Sequence, residues 1–288
     1  MTTAAKLSWQ DLFREQRHAL LGQRAKENHG GQVHSLADDE ILLLGGASEA
    51  ARLSARPKAG EDRPPLAVAL TPQGKGQSLE EFRALLAETR TAHPGAELAG
   101  FGPLEAPLSQ RYEGLDRAVV SAGKAADRFL PSEELASAAT LSLPVTAVLV
   151  YSPDVSAEAL ESAVTALRAL PNLVGVVPLP AGAGDRIPLP NLTTAGSTDA
   201  MVISVLRLLL PSVVRVRSSW AALGWKVAQV ALAYGADEIA GWTAAETLAY
   251  SGRVRAASRV ERKELDEGLE ESRLSDLRWS GPTGGAQR

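Results

Sequence analysis

Eight short apolar runs, each followed by a stretch of helical spacing, constrain this chain more than any other feature. They lie at 41–44, 66–70, 97–101, 126–130, 145–150, 173–177, 213–216 and 237–240. Runs of four to six apolar residues bounded by turn formers read as buried strands, and the intervening spacing reads as amphipathic helix. Two of the helices announce their own starts. Ser78 precedes Glu80 and Glu81 at the head of the stretch 78–91, and Ser156 opens the stretch 156–170, each serine placed to cap free backbone N–H groups. Strict strand/helix alternation implies right-handed crossovers and a parallel sheet. Eight such units in 288 residues favour closure into a (β/α)8 TIM-like barrel, which takes roughly 250 residues. A doubly wound open sheet is the alternative.

The ends of the chain read differently. Leu7, Leu12, Leu20 and Leu21 form an apolar stripe for one opening helix, with Ser8 as N-cap and Gly30-Gly31 as its stop. After Gly252 the alternation ceases. Arg253, Arg255, Arg259, Arg262 and Lys263 are followed by Glu264, Asp266, Glu267, Glu270 and Glu271, a mixed-charge pattern for a solvated terminal helix. The expected organisation is an α/β barrel over 1–252 and a charged helical tail over 253–288.

Composition excludes several functions. The formal charge is −4 with both signs interspersed, so no basic stripe exists for a phosphate backbone and nucleic acid is not an expected partner. Apolar stretches are broken within about ten residues, against the ~20 needed to span a bilayer. Asp11, Arg14, Glu15 and Arg17 interrupt the first twenty residues, leaving no apolar core for a secretion leader. A cytoplasmic protein with no membrane association is expected. Cysteine is absent, which removes disulfides, thiolate metal sites, cysteine nucleophiles and all-cysteine iron–sulfur ligation.

Motifs with their own chemistry are sparse. Gly45-Gly46, Gly74 and Gly76 follow strand-length runs but form neither GxGxxG nor a GK[ST] loop. In a barrel, however, such turns border the face where ligands bind. His18, His29, His34 and His93 are scattered, so no metal site is expected. Ser142, Ser218 and Ser219 have no histidine after them, which excludes a triad in the α/β-hydrolase order. Glu105 follows the third run and Asp237-Glu238 opens the eighth; capping or strand-opening roles and pocket roles both remain open for them. The candidate ligand-binding residues are Gly45, Gly46, Thr71, Glu105, Tyr151, Ser218, Asp237 and Glu238, and no catalytic residue is assigned.

The stretch 220–246, WAALGWKVAQVALAYGADEIAGWTAAE, resembles the C-terminal signature of the radical S-adenosylmethionine enzymes of futalosine-type menaquinone synthesis: aminofutalosine synthase, dehypoxanthine futalosine cyclase and the FO synthase subunits. There LG-x-K-x-AQ-x-AL-x-x-GA-[ND]-D is followed by a Gly-Thr turn and a Glu. IPLPNLTT at 187–194 resembles their proline-bearing loop, 200–210 their arginine-containing helix, and 70–105 their second and third βα units, with Glu105 at the place of an acidic residue. LLGQRAKENHGGQVH near the start resembles the helix before their first strand. The resemblance spans most of 20–252.

In that family C-x3-C-x2-C after the first strand binds a [4Fe–4S] cluster that reduces S-adenosylmethionine to a radical. Here GGASEAARLS occupies 45–54, with no soft ligand for iron. Tyr151-Ser152-Pro153 stands where the family often has a Gly-His pair, and Trp242 stands beside the threonine where the family has a small residue. The resemblance therefore implies a cluster-less paralogue. One expectation is a non-catalytic binding or scaffold partner, as a homodimer or with an active menaquinone-pathway enzyme. The other is an enzyme of non-radical chemistry that binds S-adenosylmethionine or a futalosine-like nucleoside. A [4Fe–4S] cofactor is not expected, and S-adenosylmethionine is the one cofactor left open. The state of the barrel mouth, filled or open, separates the two.

Overall fold

The computed structural model describes residues 7–27, 32–35, 40–44, 67–71, 78–92, 94–95, 97–181, 196–241, 243–250 and 278–280. The strands are β1 (Gln32–Ser35), β2 (Glu40–Leu44), β3 (Ala67–Thr71), β4 (Glu97–Gly100), β5 (Arg117–Ala125), β6 (Phe129–Pro131), β7 (Val145–Tyr151), β8 (Leu173–Pro180), β9 (Arg215–Ser219), β10 (Glu238–Ala240) and β11 (Arg278–Ser280). They form one sheet in the order β11-β1-β10-β9-β8-β7-β5-β4-β3-β2, with β6 off the path. Every described pair along that path is parallel, and β6 pairs antiparallel with β5.

Curling of the sheet is forced by the chain itself. Between β1 and β2 the path has eight strand spacings, about 38 Å if laid flat at ~4.8 Å each. Yet Ser35 and Glu40 are separated by four residues, which span at most about 18 Å extended. The ends of the path must come round toward each other. Among the described residues β1 and β2 are not paired, so what they show is a curled path of parallel strands with helices, and the closure into an eight-stranded barrel expected from the count of apolar runs is not seen in them.

The described helices are α1 (Trp9–Arg14), α2 (His18–Glu27), α3 (Leu79–Ala92), α4 (Leu108–Arg111), α5 (Glu133–Ala138), α6 (Ala157–Arg168), α7 (Gly196–Leu209), α8 (Trp220–Leu223), α9 (Trp225–Leu232) and α10 (Ala244–Ala249). Their starts follow the serine signals. Ser78 Oγ accepts from Glu81 N at 3.1 Å, and Ser156 Oγ accepts from Ala159 N at 3.0 Å. In α6 the buried Leu160, Ala163, Val164 and Leu167 recur at helical spacing and cover β5. The single opening helix is instead two. Ser8 caps α1 in a capping box with Asp11, and the chain then breaks at Gln16, whose φ of 53° cannot continue a right-handed helix.

Two strands differ from their apolar runs. The stretch 126–130 is not one strand. The sheet instead takes Arg117–Ala125, whose residues are mostly buried although small and interspersed with Ser and Lys, and the chain then turns back as β6. Gly123 at φ +120° permits this, since a Cβ there would lie 2.1 Å from the Leu130 carbonyl oxygen. The run at 213–216 shifts to Arg215–Ser219, leaving Val213 81% exposed. Arg215 and Arg217 are strand residues because ion pairs satisfy them.

A buried lock fixes the register of β9, β10 and α7. Arg207, fully buried, donates to Asp237 Oδ2 at 2.7 Å, Val214 O at 2.8 Å, Leu210 O at 3.1 Å and Pro211 O at 2.6 Å. Asp237 in turn accepts from Val216 N at 2.8 Å. Gly235 makes room: its φ is +97°, and a Cβ there would lie 2.7 Å from Arg207 Cγ. The substitution Gly235→Ala is expected to destabilise by about 2 kcal/mol through left-handed strain and overpacking. Urea denaturation checks this, and an unchanged midpoint contradicts it.

Candidate functional site

Helix α10 determines what the interior of the curled sheet can do. It lies against β3, β4, β5, β7 and β8. Those five neighbouring strands extend over about 19 Å, whereas six helical residues span only about 9 Å. A helix that short meets five strands only from the concave side, where they converge. Ala244, Ala245, Glu246 and Tyr250 are buried there. Local sequence starts this helix: Thr243 and Glu246 form a capping box, the [ST]xxE signature of a helix N-terminus. Arg217 Nη1 donates to Thr243 Oγ1 at 3.3 Å, and the Tyr250 hydroxyl donates to Pro180 O at the end of β8 at 2.7 Å. Trp242, expected to narrow the mouth, lies outside the described residues.

The candidate pocket residues do not converge. Gly45 and Gly46 lie outside the described residues. Thr71 ends β3, and its backbone pairs with Leu44. Glu105 is exposed on the loop after β4, a loop that Arg111 ties down through the Leu104 and Ala106 carbonyls. Ser218 is fully buried, and its hydroxyl donates to Ala228 O at 3.3 Å, on the side of α9. Asp237 precedes β10 and points to α7, where Arg207 holds it.

Glu238 opens β10 between two arginines. Arg217 Nε lies 2.9 Å from its Oε2 and Arg215 Nη1 3.1 Å from its Oε1. Burial pushes its carboxyl up, and the charges of Arg217, Arg215 and Arg117 overcome this and hold it at about 2. Arg117 itself pairs with Glu97 at 3.1 Å. Glu238 thus belongs to a charged seam near the amino ends of β4, β5, β9 and β10, and it stays ionised with both oxygens engaged.

Tyr151 stands among other polar groups at the carboxyl end of the sheet. It is the last residue of β7, 1% exposed, with its hydroxyl 2.5 Å from Asp199 Oδ1 in the first turn of α7. Burial, then the Asp199 charge, push its hydroxyl well above the usual phenol range. Tyr250 is likewise raised, first by burial and then by Glu246 and Asp199. Asp199, Arg207, Arg217, Glu246 and Tyr250 had no place among the sequence candidates. Only the capping box of Thr243 and Glu246 carried a legible signal.

Among the described residues no group of three histidine, aspartate or glutamate side chains could hold a metal ion. No described helix is long and apolar enough to cross a membrane.

The fold is similar to the crystal structure of methylornithine synthase (PylB), with a TM-score of 0.58 over 96% of this chain and 91% of that one, at 13% sequence identity. At that identity the likeness is one of fold. No protein-family model matches the sequence, and no curated protein does.

Proposed function

We propose that this chain is a barrel of the radical S-adenosylmethionine type that has lost its iron–sulfur cluster and acts as a non-catalytic binding or scaffold partner in futalosine-type menaquinone synthesis. One observation carries the reading: the sequence has no cysteine. A [4Fe–4S] centre requires several thiolates converging on iron. Serine and glutamate at 45–54 offer only hard oxygen donors at that place and alanine offers none, so the donor set does not fit the cluster and no radical step is assigned to it.

Four features support the reading. The fold is like that of methylornithine synthase, and the 220–246 signature points to the menaquinone branch. Asp237 and Glu238, the acidic pair best suited by sequence to acid–base work, are both consumed in ion pairs. The concave face is occupied by α10, which reduces room for substrate.

Anaerobic reconstitution with iron and sulfide tests it. The protein is expected to stay colourless, to bind no stoichiometric iron and to leave S-adenosylmethionine uncleaved on reduction. A stoichiometric cluster absorbance overturns the proposal.

A second reading, favoured by the buried Tyr151–Asp199 pair at the carboxyl end of the sheet, keeps a ligand chamber there for S-adenosylmethionine or a futalosine-like nucleoside. Calorimetric titration with each separates the two: saturable heat favours the chamber, its absence the scaffold.

A further inference from the structure

Helix α10 is seated on little apolar surface. It buries Ala244, Ala245 and Glu246 and, at its end, Tyr250, while Leu248 and Ala249 are half-buried. The outer helices differ: α6 buries Leu160, Val164 and Leu167, and α7 buries Met201, Ile203, Val205 and Leu206. An alanine hides one methyl where those residues hide branched or long chains, so the hydrophobic hold on α10 is far smaller. Six residues are also too few to stay helical without packing.

Polar contacts make up the rest of the hold. The Tyr250 hydroxyl donates to Pro180 O at 2.7 Å, and Arg217 Nη1 donates to Thr243 Oγ1 at 3.3 Å, the second long enough to be weak. Seating the helix also carries a cost. Glu246 is fully buried, and although Thr243 N and the Thr243 hydroxyl engage its Oε2, its Oε1 has no hydrogen-bond partner among the described residues. Unseating α10 returns that oxygen to water, which offsets part of the loss. Elements with few buried apolar contacts are the ones that open locally while the rest of a domain stays folded.

We propose that α10 is an internal plug, which leaves the concave face of the sheet in a local opening without unfolding of the strands, and that Tyr250 is its latch. Tyr250, 3% exposed, is the largest side chain that the helix buries, and its hydroxyl closes the bond to the carboxyl end of β8. Opening uncovers the face that α10 covers on β3, β4, β5, β7 and β8, and so controls access to it. It is independent of both functional readings above, and either can fail without it.

Because the sequence has no cysteine, a single introduced thiol reports on its own burial. Ala245→Cys places one on α10 and Ala163→Cys places one on α6, at positions 1% and 0% exposed. With dithionitrobenzoate and full-length protein in low urea, the thiol at 245 is expected to react at least about tenfold faster than the thiol at 163, and with a weaker urea dependence, since a local opening exposes little surface. Adding Tyr250→Phe keeps the ring and removes its bond. That change should speed the reaction at 245 about threefold to tenfold and leave the reaction at 163 unchanged. Should either cysteine variant fail to fold, hydrogen exchange of the Thr247 and Tyr250 amides, which donate to Thr243 O and Glu246 O, makes the same comparison against the amides of β7. Equal rates with equal urea dependence at the two sites overturn the proposal. So does reaction at 245 as fast as that of a free thiol, or a rate there that Tyr250→Phe does not change.

Discussion

Replacing Arg207 with alanine is expected to destabilise the protein by roughly 3–5 kcal/mol, enough to unfold a domain of ordinary stability. Arg207 is fully buried, and its guanidinium serves Asp237 and three backbone carbonyls at once. Its removal takes the Arg207 cation from a buried carboxylate and the Arg207 donor from the Val214 and Leu210 carbonyls, while the Pro211 carbonyl keeps its bond from Val214 N. Lysine should rescue little, because a point ammonium cannot reproduce a planar fork reaching the end of α7, the start of β9 and Asp237 together. The double substitution Arg207→Met with Asp237→Leu should recover part of the loss by removing the stranded charge, though not the carbonyl share. Urea denaturation of the three variants checks the scheme. A loss under 1 kcal/mol for Arg207→Ala would show that the lock does not hold the fold.

Acid should weaken the fold through Glu238. Its carboxyl is held at about 2 in the folded protein, against burial, by Arg217, Arg215 and Arg117, whereas an unfolded glutamate titrates near ~4.3. A depressed folded value means that the unfolded state takes up the proton first, so stability rises with pH across this window. The contribution is fully present above about pH 5 and is lost progressively as pH falls toward 2, in total on the order of a few kcal/mol. Denaturation midpoints measured between pH 7 and pH 3 should fall for the wild type and fall less for Glu238→Gln. That variant should itself be less stable at pH 7, because it leaves two arginines facing a neutral amide. Parallel curves for the two proteins would remove Glu238 from the account.

Legibility in the sequence tracked how local the physics was. Ser78 and Ser156 marked the starts of α3 and α6 correctly because a cap bonds residues three apart. The runs at 145–150 and 173–177 became β7 and β8 because a strand buried on both faces is apolar at every position. The 126–130 run misled because its neighbour 117–125 is built from small and polar residues whose burial comes from the strands beside it. The 213–216 run misled because its two leading valines precede the strand, whereas Arg215 and Arg217 enter it through Glu238, more than twenty residues away in the chain. Among the pocket candidates, Tyr151 reached a polar cluster. Asp237, Glu238 and Ser218 went to structural bonds that only the packed helices and strands supply.

Sequence alone determined the alternating α/β plan, the parallel sheet and the exclusion of thiolate-held iron, since these follow from spacing and from which side chains exist. The tertiary structure decided that the sheet curls, that α10 occupies the concave face, and that the acidic pair faces arginines. Each of those outcomes depends on groups distant in the chain meeting out of water, where a charge must find its partner and a helix must bury its face, and no local pattern encodes which partner or which face is met.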